Sequence, residues 1–174
     1  MTNVEEIRAS LAKFDGKAVT LLGEAEAQFR GEPAYSPDYL DALISLTEPG
    51  EGVVGDGASW LIKSALEKGA QFSPDQVAAL LTKAPLLTRW AAQLHLLQCV
   101  QHLTIPATHA PRLAALVRPS LMHERPFVRA WALDALSHLA RQHPSFSEDF
   151  AAALCDAYDD PAASVRARAR NLRD

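Results

Sequence analysis

The sequence predicts an all-α protein made of stacked helical hairpins, on three observations. Four stretches resemble one another and begin 37 residues apart: SPDYLDALISL from Ser36, SPDQVAALLTK from Ser73, APRLAALVRPSL from Ala110 and SEDFAAALCDAY from Ser147. Each opens with residues that start helices, and apolar residues inside each recur at helical spacing. A fixed period of this length is the mark of a helical repeat, in which each unit hides its oily side against the next.

The elements follow in order. Val4, Ile7, Leu11, Phe14, Ala18, Leu21 and Ala25 form one helical stripe near the N-terminus, which Asp15-Gly16 is placed to divide into two helices. We read residues 1–31 as a cap over the first repeat, because the end of a stack must cover its exposed apolar face. A short heptad-like stripe also suits self-association. Repeats are expected at 36–69, 73–102, 110–142 and 147–174, within one domain spanning 1–174. Ser36, Ser73 and Ser147 stand as N-caps, and Pro37, Pro74 and Pro111 suit the first helical position. Asp38, Asp75, Glu148 and Asp149 put negative charge at the positive end of the helix dipole.

A second helix follows each first one. SWLIKSALEKG ends at Gly69, a C′ glycine with Lys68 in the last turn. Leu87, Trp90, Ala91, Leu94 and Leu97 define the buried face of the next second helix. Val128, Trp131, Ala132, Ala135, Leu136 and Leu139 define that of the one after. Prolines 33, 49, 85, 106, 126, 144 and 161 fall where helices should break.

Composition narrows the function classes. The 174 residues are 48% hydrophobic and 22% charged, which suits a globular protein, and the net charge is −4. That balance argues against a general nucleic-acid binder. It is uneven, however: residues 1–84 hold 7 basic and 13 acidic residues, and residues 85–174 hold 10 and 8. All ten of those later cations are arginine, and all six histidines lie there as well. Cys99 and Cys155 sit inside helical patterns and suggest no disulfide framework. The acidic N-terminus is unlike a signal peptide, and no apolar run reaches the roughly 18 residues of a membrane span. The expectation is a soluble, cytoplasmic protein.

The stretch SVRARARNLR, from Ser164 to Arg173, has the alternation of a strand. At the 37-residue period, however, it aligns with VRAWALDAL from Val128. A helix then gathers Val165, Ala169 and Leu172 on one arc and Arg166, Arg170 and Arg173 on another, because successive residues turn by about 100°. Arg168 takes the place of Trp131, and Arg168→Ala is expected to change stability little. The arginines read either as the polar outer face of a terminal helix or as a binding surface.

The segment from Phe150 to Leu172, FAAALCDAYDDPAASVRARARNL, resembles the HEAT repeat in its apolar first helix, its turn with Asp160 and Pro161, and the pair Val165-Arg166 opening the second helix. Val128-Arg129 matches that pair, with His123 where Asp160 stands, while residues before 85 share only period, helix length and capping. The resemblance implies a right-handed α-solenoid of about four HEAT-like hairpins, armadillo-like in build. It also implies a ladder of turn-aspartate and second-helix arginine bonds that gives Asp160 and Arg166 a structural job and pairs Glu124 or Asp134 with neighbouring arginines.

No convergent chemical set emerges. GEGVVGDG, Gly50 to Gly57, contains a literal G-x-G-x-x-G, but it lacks a preceding strand, and Glu48, Glu51 and Asp56 repel phosphate. We read it as a flexible turn. His95 with His102, and His138 with His143, lack further ligands at metal spacing. Cys99 reads as a buried hydrophobe, and Trp60, Trp90 and Trp131 as packing residues rather than recognition residues. Catalytic, cofactor and metal residues are expected to be none.

The expected function is a non-enzymatic scaffold whose stacked second helices bind another protein or peptide on a concave face. The alternative is a nucleic-acid-binding or DNA-repair protein. Its candidate surface is Arg89, Arg129, Asp134, Arg166, Arg170 and Arg173. Asp134 enters by fold-level analogy to HEAT-like alkylpurine DNA glycosylases, in which an aspartate among tryptophans and arginines serves base excision.

Overall fold

The computed structural model describes residues 4–31 and 35–173. Among these residues the regular structure is helical throughout, with no strand. Ten α-helices succeed one another: α1 Val4–Leu11, α2 Val19–Phe29, α3 Pro37–Leu46, α4 Val53–Glu67, α5 Pro74–Lys83, α6 Trp90–Cys99, α7 Ala110–Ser120, α8 Pro126–Gln142, α9 Ser147–Tyr158 and α10 Ala163–Asn171. Pro33, expected as a helix breaker, lies outside the described residues.

The caps follow from local chemistry. Ser36 Oγ accepts from the Tyr39 amide, and Ser73 and Gln76 form a reciprocal capping box. Ser147 does not cap. Pro144–Phe146 forms a 3-10 turn, so the chain enters α9 already wound and Ser147 is its first helical residue. Gly69 adopts φ +90° beyond α4, and the Ala70 and Gly69 amides reach the Ala65 and Leu66 carbonyls at 2.9 and 3.0 Å. That pattern is a Schellman ending, which glycine accommodates without a Cβ clash.

The helices pack in two sets. α4 lies on α6, α6 on α8, and α8 on α10, while α3 lies on α5 and α5 on α7. Within pairs, α3 packs on α4, α7 on α8 and α9 on α10. The second pair departs from this pattern. α5 and α6 do not pack closely together; α5 rests on the Ala84–Leu86 turn, which also carries α7. One apolar core runs from Ile7 to Phe146, and a smaller one around Ala130, Leu133, Ala157, Val165 and Ala169 joins α8 to the last two helices.

At the N-terminal end, α1 packs on α3 and α4, and α2 on α4. Asp15 Oδ1 accepts from the Lys17 and Ala18 amides at 2.8 Å each, and Gly16 turns at φ +82°. The turn breaks the helical phase, so Leu22 is buried where an unbroken stripe favours Leu21. Glu26 is buried too. It accepts hydrogen bonds from Tyr35, Ser64 and Lys68 and so fastens α2 to α4.

The glycine stretch is not a flexible turn. Pro49–Glu51 is a 3-10 turn, Gly52 reverses the chain at φ +58°, and α4 begins at Val53. Gly55 and Gly57 are helical because their neighbours leave no room for a side chain. A Cβ on Gly55 lies 3.2 Å from the Glu48 carbonyl oxygen, and one on Gly57 lies 3.1 Å from a Leu22 methyl. Gly57 admits α1 and α2 to the surface of α4, while Gly55 makes room for the turn that precedes α4. The buried face of α6 also differs from the expected one. Leu87, Ala92, Leu96, Leu97 and Cys99 are buried, whereas Trp90 is 43% exposed. Neighbours on both sides, α4 and α8, select that face.

Candidate functional site

The arginines of the second helices are held by the turns. Arg129, near the start of α8, donates through Nε and Nη2 to Asp160 Oδ2 and Oδ1 at 2.8 Å each. Its Nη1 donates to the carbonyls of His123 and Glu124. Arg166, 37 residues later, donates its Nη1 to the carbonyls of Asp160 and Pro161, the corresponding positions. Thus Arg166 bonds the Asp160 backbone, while the Asp160 carboxylate serves Arg129 of the preceding pair. Val128 and Val165, beside these arginines, are buried.

Bidentate contact with Arg129, supported by the Ala162 amide, holds the Asp160 carboxyl below its ordinary range. A depressed carboxyl stabilises the fold above its unfolded value near 4, and that contribution is lost as pH falls through the folded value.

A second cluster joins α8 to α10. Arg168 Nη1 donates to Asp134 Oδ1 at 2.8 Å, and its guanidinium carbon lies 4.3 Å from the centre of the Trp131 ring. His138 Nε2 is 3.6 Å from the other Asp134 oxygen. Asp134 is only 5% exposed. Arg168 is therefore a structural cation rather than an idle one. Arg168→Ala is expected to cost about 1.5–3 kcal/mol, because it strands a buried carboxylate. Urea unfolding checks this, and Arg168→Lys should recover only part of the loss. Trp131, half-buried beneath the guanidinium, packs on the main core.

The remaining cations divide. Arg89, preceding α6, donates to Asp56 in the first turn of α4 at 2.7 Å. Of the six candidate surface residues, Arg89, Arg129, Asp134 and Arg166 are thus engaged within the chain. Arg170 and Arg173 remain exposed on the last helix and just beyond it. The hollow beside Gly52, Gly55, Asp56 and Arg89 is about 10 Å³, scarcely room for one water and far too small for a nucleotide.

One polar pair was not legible in the sequence. Ser59 Oγ lies 3.0 Å from His95 Nδ1, joining α4 to α6, and donates its own proton to the Asp56 carbonyl at 2.9 Å. Burial lowers His95 to about 4, with Lys63 adding to the effect. The imidazole is therefore neutral in the fold but charges in the unfolded chain below about 6.5. Stability should fall as pH drops from about 6.5 toward 4. His95→Gln should flatten this decline in a series of urea midpoints against pH. Burial also raises the Cys99 thiol, which opposes thiolate formation. Among the described residues no His, Cys, Asp and Glu cluster is arranged to hold a metal ion, and no helix is long and apolar enough to cross a membrane.

An apolar groove of about 750 Å³ is lined by α7, α8, α9 and the turns that follow α7 and α9. Leu121, Leu133, Leu136, Ala153 and Ala157 supply its apolar lining, and Met122 on its margin is 85% exposed. It opens between the first helices α7 and α9, with the second helix α8 beneath it. It exists because α7 and α9 do not pack closely, unlike α3 on α5 and α5 on α7. Its indirect sign along the chain is the run of small residues Ala151, Ala152 and Ala153 on α9. Elsewhere Val53, Trp90 and Phe127, each 37 residues after the last, remain 36%, 43% and 58% exposed at the starts of α4, α6 and α8. No family model, curated protein or solved structure matches this chain.

Proposed function

We propose that the chain is a HEAT-like α-solenoid that serves as a scaffold for protein–protein interaction. The observation that carries this reading is the open apolar groove beside α7 and α9, margined by an exposed methionine. Met122, exposed beside the hollow, is a side chain that adapts to varied partner surfaces. The repeated bonding of Arg129 and Arg166 to corresponding turn carbonyls supports the solenoid part of the reading. So does the succession of α4, α6, α8 and α10. Three of the arginines expected to meet phosphate, Arg89, Arg129 and Arg166, are engaged within the chain, which weighs toward protein as the partner.

The test is affinity capture from native lysate with the intact chain as bait, at several salt concentrations. A stoichiometric partner is expected. Recovery of none would sink the reading.

A further inference from the structure

The groove has a charge as well as a shape, and the two together specify its occupant. Arg118 and Arg129 contribute guanidiniums to its lining, and each is already bound to a carboxylate of the same lining, Asp149 and Asp160. Glu124, Asp156 and Asp159 also line it, all exposed and none in an ion pair. An apolar trough with three uncompensated carboxylates favours apolar side chains accompanied by positive charge.

We propose that this groove receives an amphipathic helix of a partner protein, whose apolar stripe is flanked by lysine or arginine. The proposal rests on the scaffold reading and names the partner's chemistry. A helix suits the geometry because Leu121 and Met122 after α7 and Ala152 and Ala153 on α9 keep exposed surface above the buried leucines of α8, and helices seat their side-chain ridges against such a trough. Where α3, α5 and α7 pack directly, α7 and α9 are instead linked across the gap by Arg118, whose Nη2 reaches Asp149 at 2.6 Å. An incoming helix lies over the seam between α7 and α9, on its solvent side. Apolar residues at i, i+3, i+4 and i+7 meet Leu121, Met122, Ala152 and Ala153, while flanking cations meet Asp156 and Asp159.

The test uses the full chain and two synthetic helical peptides with leucine at i, i+3, i+4 and i+7. One carries lysine at its other positions, and the second carries glutamate. Fluorescence polarisation should show binding of the lysine peptide, with the glutamate peptide about tenfold weaker or worse. The pair Asp156→Lys and Asp159→Lys should weaken the lysine peptide about tenfold. Glu24→Lys with Asp75→Lys changes net charge equally, away from the groove, and should change affinity less than about twofold. Ala152→Trp, which fills the groove at an exposed position without changing charge, should also weaken binding about tenfold.

Equal effects of the two charge reversals, or no effect of Ala152→Trp, overturn the proposal. So does sedimentation showing that the chain self-associates through this groove and loses that association with Asp156→Lys and Asp159→Lys, since the occupant is then a second copy. If a captured partner is retained by both groove variants, the scaffold reading stands and the groove assignment falls. If no partner is captured, both fall together.

Discussion

Arg129→Ala is expected to destabilise the fold by about 1.5–3 kcal/mol, the cost of removing charge-assisted hydrogen bonds from a half-buried ion pair. The guanidinium and the Asp160 carboxylate are 15% and 13% exposed, so water screens the pair weakly. Loss of the side chain leaves Asp160 with the Ala162 amide, and it leaves the His123 and Glu124 carbonyls without their donor. Arg129→Lys should recover less than half, because an ammonium cannot bridge two carboxylate oxygens and two carbonyls in one plane. The loss should be largest near neutral pH and shrink as acid protonates Asp160. Urea unfolding of Arg129→Ala, Asp160→Ala and the double variant tests the coupling. A cost below about 1 kcal/mol would place the pair among ordinary surface ion pairs.

Leu97→Ala is expected to cost about 2–5 kcal/mol. Leu97 is 1% exposed on α6, which lies between α4 and α8, so truncation opens a cavity that neither neighbour can close without leaving its other partner. Leu86→Ala, at a position 56% exposed, should stay within about 0.5 kcal/mol. If the helices support one another, the far-UV and near-UV transitions of Leu97→Ala shift together. Separate transitions would show that the layers on either side of α6 unfold independently.

The helical composition was legible because each start carries its own chemistry. Ser36 and Ser73 cap the helices that follow them, and Gly69 ends another, through contacts within a few residues. The period was legible too, since Arg129 and Arg166 make equivalent bonds to carbonyls 37 residues apart. Which face is buried proved harder to read. Trp90 fits an apolar stripe on α6, yet it stays exposed beneath the Arg125 guanidinium, 4.2 Å from its ring centre. Periodicity identifies an apolar arc, but neighbours decide which part of a broad arc is covered.

The sequence by itself determined helices, their caps and a 37-residue period, all of which depend on short-range bonding and regular spacing. Tertiary structure alone decided that Asp160 answers Arg129 rather than Arg166, that Arg168 holds a buried Asp134, and that Gly57 makes room for α1 and α2. It also decided that α7 and α9 part to leave a groove. Those outcomes depend on which surfaces meet across tens of residues, and a linear pattern fixes the surfaces without fixing how far apart they come to rest.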